Sequence, residues 1–398
     1  MKAEQLEDIL VLYRTKGLSR RDAGRLVQQV GRPEEVFALS AETLTGWGIK
    51  PAVARALLER RLDDAIRQEM DFVQRNDIRA IGFWEQDYPP LLRECPDAPV
   101  MLLAKGAFDF TGLPFALAIV GTRAMTPYGA AMTDRIVQAL APYRPAIVSG
   151  LAYGVDVQAH RAALKYGLPT LGVLGQGLGT PMYPAQNRNT ARQMCHTPGC
   201  GILTEYLHLQ EALPGLFPAR NRIVAGIARA TVVIEAKAKG GALITAELAG
   251  GYNREVFAVP GRANDPCSQG CNTLIRRNKA MILDDPQTLI EELGLSDRRP
   301  KAQPGRQSEM FLSESPATAA PPAPNRNGAA PQWEGLTEEG KKVARMLSGV
   351  EKMHLDELCT ALEMPVQNLT VLLLEMELAG LIDTLPGKYY ALSPQART

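Results

Sequence analysis

Over the first eighty residues, apolar side chains recur every three or four positions. Leu6 to Leu12, Arg21 to Val30, Glu34 to Leu39, Ala41 to Trp47 and Pro51 to Val73 all have helical spacing, which predicts a helical domain over 1–80. Residues 81–112 carry Tyr88-Pro89-Pro90-Leu91-Leu92 and the run from Ala98 to Leu103. They read as a connector of loop, short helix and strand docked on the next domain. From 113 to 296 the pattern changes. Candidate strands at 115–120, 145–148, 170–174, 202–204, 230–235, 255–259 and 280–283, largely apolar, are separated by helical patterns at 130–140, 156–165, 187–194, 219–227 and 242–250. Strands with no polar alternation are buried on both faces. Their alternation with helices predicts an α/β domain with a doubly wound, mostly parallel sheet.

Residues 297–333 are rich in Pro, Ala, Ser and Asn and have few apolar positions, as expected of a flexible linker. Residues 334–398 resume a folded pattern. Helices are expected at 337–348, 354–361 and 365–379, with Gly380 as a stop, and strands at 381–384 and 388–392. Three helices and a hairpin make a winged-helix pattern.

Charge divides these parts. The chain of 398 residues has a net charge of only +1, yet 113–279 holds 17 Lys and Arg against 8 Asp and Glu, whereas 334–392 holds 5 against 10. A basic central domain suits a polyanion, and an acidic tail domain repels one. The N-terminus has no secretory pattern, and no run reaches the roughly 18 apolar residues of a membrane span. A cytoplasmic protein is expected. Its six cysteines are then reduced thiols. Their CHxxxC and CxxxC spacings are not those of zinc ribbons or fingers, so no metal is expected.

Candidate chemistry lies where the central strands end. Phe115 to Val120 breaks at Gly121, Thr122 and Arg123 before a helix. Such a turn at the carboxyl end of a strand offers glycine flexibility, helix N–H groups and a bidentate arginine to an anion, most naturally phosphate. The alternative is an ordinary βα turn with a surface arginine. The next strand ends at Ser149 and Gly150. Tyr153 there offers an aromatic face, and Asp156 fits an N-cap. His160 is read as a packed helix residue. Gly175, Gly177 and Gly179 imitate a dinucleotide fingerprint, but Pro181 and Pro184 interrupt the helix that should follow, so NAD and FAD are rejected. Tyr183, Asn187 and Arg188 suit a nucleic-acid strand instead. Phe217, Arg220, Asn221 and Arg222 combine guanidinium groups, an amide and a ring; an ion pair from one arginine to Glu205 or Glu235 is the plainer use. After Glu235, Gly240 and Gly241 open another helix, with Lys237 and Lys239 beside them. No P-loop lysine motif and no catalytic triad is present. A row of phosphate-capable turns with interleaved Arg and Tyr favours a single nucleic-acid strand over a small molecule.

These residues resemble the DNA-processing protein A family (DprA, also called Smf). The matching segments are IVGTR (119–123), IVSGLAYGVDVQAH (147–160), YPAQN (183–187), FPARNRIVAG (217–226), GGALITAELA (240–249), REVFAVPG (254–261) and GCNTLI (270–275), with YPPLL (88–92) ahead of them. The resemblance implies a Rossmann-like domain that binds and protects incoming single-stranded DNA in natural transformation. It also implies loading of the RecA recombinase for DNA recombination, a homodimer, no cofactor and no catalytic residues. It places a DNA role on Arg123 and on the neighbouring glycine turns, and a dimer contact near Leu274, Ile275, Ile282 and Leu283. It likens the N-terminal module to a sterile-alpha-motif (SAM-like) fold and the C-terminal one to a winged helix. Tyr153 and Ala185 stand where relatives are often basic, Gly240 where Ser is usual, and Asn278 where Gly is usual.

Two further readings remain open. GGALITAE (240–247) is reminiscent of the PGGxGTxxE site of Rossmann-like phosphoribohydrolases, with Glu247 as base, although Ile244 replaces a glycine there. The turn Gly46–Lys50 (GWGIK) resembles a helix-hairpin-helix phosphate site, against a helical domain used only for packing.

Overall fold

The structure, a computed structural model, describes residues 1–111, 115–295, 337–350, 352–362, 364–385 and 389–393. The expected linker, 297–333, lies outside them. Two compact units divide at residue 304.

The first unit is built on a nine-stranded sheet. Its strands are β1 (Arg79–Gly82), β2 (Met101–Gly106), β3 (Ala116–Val120), β4 (Ala146–Ser149), β5 (Thr170–Val173), β6 (Gly201–Thr204), β7 (Ala230–Val233), β8 (Glu255–Ala258) and β9 (Met281–Ile282). The order is β1-β2-β6-β5-β4-β3-β7-β8-β9. From β6 to β9 all pairings are parallel; β1 and β2 add antiparallel strands at one edge. The two-residue period of a strand sends alternate side chains to opposite faces. Leu117 and Ile119 pack with Ile136, Val137 and Ala159 of helices Pro127–Leu140 and Val155–Lys165. Ala118 and Val120 pack with Ile223, Val224 and Ala246 of helices Leu216–Ile227 and Gly241–Gly251. This double burial is why the strands lack polar alternation.

Three expectations need correction. The segment read as a connector supplies β2, an integral strand of the sheet, and β1 begins inside the span assigned to the helical domain. The expected helix from Pro51 to Val73 is two helices, Pro51–Leu58 and Asp64–Arg75; the break holds Arg60 at φ 44 and is followed by the Asp63 cap, whose carboxylate accepts from Ile66 N. Asp156 is not an N-cap. Gly154, at φ 73, occupies that position, and Asp156 sits buried in the first turn.

The helical module, Ala3–Arg14 to Asp64–Arg75, packs on the segment after β6. Buried Glu69 accepts from His208 N and Nδ1, the latter at 2.6 Å, and the His208 ring stacks on Phe72. Between Gly46 and Pro51 the chain forms a hairpin with Gly48 at φ 86.

The second unit contains helices Glu338–Ser348, Leu355–Leu362 and Val366–Leu378 and strands β10 (Met353–His354), β11 (Ile382–Leu385) and β12 (Tyr389–Leu392), in sheet order β10-β12-β11. Val343, Leu347, Leu358, Leu369 and Met376 form its core. Among the described residues no helix is long and apolar enough to cross a membrane.

Candidate functional site

The winding of the parallel sheet reverses between β3 and β7, and in such sheets the crevice outside the carboxyl ends at the reversal is the natural ligand site. An open cleft of about 700 Å³ lies there. Gly121, Thr122 and Arg123 after β3, Gly150 after β4, residues 236–241 after β7, and Phe217, Arg220 and Asn221 on helix Leu216–Ile227 line it.

One buried carboxylate shapes the first turn. Glu235 is 1% exposed. Its Oε2 accepts from Thr126 N at 2.9 Å, its Oε1 accepts from the Thr126 hydroxyl, and its carbonyl accepts from Thr122 N at 2.7 Å. Thr126 Oγ1 in turn accepts from Gly129 N as the cap of helix Pro127–Leu140. Glu235 therefore pins both ends of the loop that presents Arg123.

A second buried group shapes the opposite wall. Arg220 is 3% exposed and donates to Gly150 O at 2.6 Å and to Val173 O. Asp156 accepts from Gly150 N at 3.1 Å. A side chain on Gly150 would strike both Arg220 and Asp156; the position requires glycine for space. Burial pulls the Arg220 guanidinium down to about 10, against the nearby Asp156 charge, and it stays cationic at neutral pH. Burial likewise raises Asp156, while Arg220 opposes the rise. Arg220 thus places positive charge at the floor while its donors hold the backbone.

Exposed cations stand at the rim. Arg123, Lys237 and Lys239 are exposed, and none has an ion-pair partner among the described residues. The Arg123 guanidinium lies 5.4 Å from the centre of the Phe217 ring. Gly240 precedes helix Gly241–Gly251 with no side-chain cap, so the first N–H groups of that helix open towards the cleft. Gly240 has an extended backbone and open space around it, so a serine fits there equally well.

Other sequence candidates fall elsewhere. Ser149 is fully buried and donates to Ile119 O at 2.6 Å. Asn187 is 2% exposed and donates to the carbonyls of Leu151 and Ala152. Both side chains brace the backbone and lie outside the cleft lining. Arg222 points away from the cleft and pairs with Glu205 at 2.7 Å, the use foreseen for one of the two arginines. Asn221 braces the wall, accepting from Arg220 Nε and donating to Gly241 O. Tyr153 and exposed Arg188 lie outside the cleft lining. Leu274 and Leu283 belong to the core, whereas Ile282 is 47% exposed and Ile275 half-buried. The role of Glu235 in pinning the Arg123 loop is not legible from spacing along the chain. A strand-end glutamate was visible, but its partner Thr126 is more than a hundred residues away. No group of three or more His, Cys, Asp or Glu converges as a metal site among the described residues.

Comparison with known proteins adds the family. The model described as DNA recombination-mediator protein A matches residues 79–294. The chain belongs to the DprA/Smf family. The DprA winged helix domain matches residues 316–388, which agrees with the fold of the second unit. The Smf protein of Synechocystis is 34% identical over 341 residues, covering 80% of this chain and 84% of the relative. The DNA processing protein DprA of Streptococcus pneumoniae is 40% identical over 204 residues, covering 51% of this chain and 71% of the relative. The X-ray structure of DprA from Streptococcus pneumoniae superposes with a TM-score of 0.63 at 30% identity, over 73% of this chain and 98% of that one.

Proposed function

We propose that this DprA-family chain is a single-stranded DNA-binding protein that acts without a catalytic step, protects incoming DNA in natural transformation and hands it to RecA. The observation that carries the reading is the rim of the switch-point cleft. Three cations without carboxylate partners among the described residues, Arg123, Lys237 and Lys239, stand beside exposed helix N–H groups and an aromatic ring. Free cations and backbone donors hold phosphates, and a ring holds a base. The DNA-processing names of the relatives agree with this use. The loading of RecA and the homodimer rest on the family resemblance.

The nucleotide-enzyme reading has less support. Glu247, its expected base, is 62% exposed at the side chain and paired with Lys279 at 3.2 Å. That is a solvated ion pair, not an enclosed base.

The test is fluorescence anisotropy with labelled single- and double-stranded oligonucleotides over a salt series. The wild type is expected to prefer the single strand and to lose affinity steeply with salt. Arg123→Ala is expected to weaken binding across sequences and to reduce the log–log salt slope by about 0.7, the value of one single-strand phosphate contact. Unchanged affinity in that variant would overturn the reading.

A further inference from the structure

Phe217 does not stand alone. Its ring centre lies 5.6 Å from that of Tyr183, which lies 6.5 Å from that of Tyr153. The three rings form a row leading from Arg123 out of the cleft. None of the three belongs to an apolar core of the described residues, and Tyr183 is 44% exposed. Large rings left against water usually have a partner to meet.

The row is also held in place. Phe217 seats against Gly175, where an added Cβ would stand 3.0 Å from the ring, a tight contact. Tyr183 N donates to Gln176 Oε1 at 2.8 Å, and Gln176 is itself buried and donates to Thr180 Oγ1 and Pro181 O. The Tyr153 hydroxyl donates to Gln186 Oε1. Asn187 ties the following helix to the Tyr153 turn through Leu151 O and Ala152 O. Rings fixed by their neighbours lose little freedom when a flat ligand lands on them.

We propose that Phe217, Tyr183 and Tyr153 form a base-stacking track, so that the cleft grips phosphate at Arg123 and passes the following unpaired bases onto three rings. The inference rests on the single-strand reading and deepens it. It assigns the preference for single strands to the tyrosines, because a duplex already stacks its bases on one another and cannot offer their faces. It also makes the contact tolerant of sequence, since every base has a π-face. Exposed Arg188, at the start of helix Arg188–His196 and one residue after Asn187, offers a cation to the backbone of the same strand.

The test separates base from phosphate. Full-length protein is titrated with labelled oligothymidylate and with an abasic deoxyribose oligomer of equal length and charge. The wild type is expected to bind oligothymidylate more tightly by about tenfold or more. Tyr183→Ala and Tyr153→Ala should each shrink that ratio about five- to hundredfold at most, down to parity, by weakening oligothymidylate alone. Tyr183→Phe should keep the ratio. Unchanged abasic binding in each variant shows that the fold and the phosphate grip survive. Equal wild-type affinity for the two probes, or a ratio untouched by both alanine variants, overturns the track and leaves the single-strand reading standing. Failure of the wild type to bind either probe overturns both.

Discussion

His160 lies in a helix-compatible run beside glycine turns, where a catalytic histidine and a packed one look alike in sequence. Its surroundings decide the matter. The ring is fully buried, Nδ1 meets Thr170 Oγ1 at 2.7 Å, and Nε2 has no partner among the described residues. Burial, reinforced by the Arg220 charge, lowers its pKa from 6.5 to about 3. The folded protein therefore holds the neutral ring while the unfolded chain binds a proton below about pH 6.5. Stability from this group is complete above that pH and is lost as pH falls towards 3. Between pH 7 and 5 the loss is about 2 kcal/mol. His160→Asn should lower stability at pH 7 yet flatten the dependence on pH over that interval, read by urea unfolding at several pH values. An unchanged pH slope would mean that the ring titrates normally. The same burial separates Arg220, Asn221 and Arg222, three neighbours in sequence with three different duties: a floor, a brace and a remote ion pair. Asn278, in place of a usual glycine, adopts φ 53, a left-handed conformation that Asn tolerates better than most residues.

At the scale of elements, helix starts do the positioning. Thr126 caps helix Pro127–Leu140 and also donates to Glu235, joining the end of β7 to the loop after β3. Its side chain therefore carries a cap, worth roughly 1 kcal/mol, and a charge-assisted hydrogen bond, worth roughly 1.5–3 kcal/mol. Thr126→Ala is expected to cost about 2.5–4 kcal/mol in chemical unfolding and to weaken single-strand binding, because the Arg123 loop loses an anchor. Thr126→Ser should retain most of both. Wild-type affinity in Thr126→Ala would show that the loop is held without it. Existence and type of the central elements were legible because the strands are short, largely apolar segments and most of the helices between them have a periodic apolar face. The break at Arg60 was not, because apolar spacing continues across it and only the Asp63 cap marks the restart.

At the scale of the whole molecule, the basic excess of 113–279 and the acidic excess of 334–392 fall in separate units, and the sheet ends at β9 with Ile282 half in water. We propose that this edge is the homodimer contact, with Ile275 beside it. Ile282→Glu should yield a folded monomer by light scattering with little change in melting temperature, since the side chain lies outside the core; a persistent dimer would place the contact elsewhere. The amino-acid sequence by itself determined the doubly wound α/β class, the winged helix, the glycine turns at strand ends and the family, because periodicity and local motifs are carried by neighbouring residues. Only the tertiary structure decided which of the candidate residues line the cleft. It buried Ser149 and Asn187, turned Arg222 towards Glu205, and aligned Tyr153, Tyr183 and Phe217 into one row. Those outcomes depend on contacts between segments tens of residues apart, which the spacing of residues along the chain does not contain.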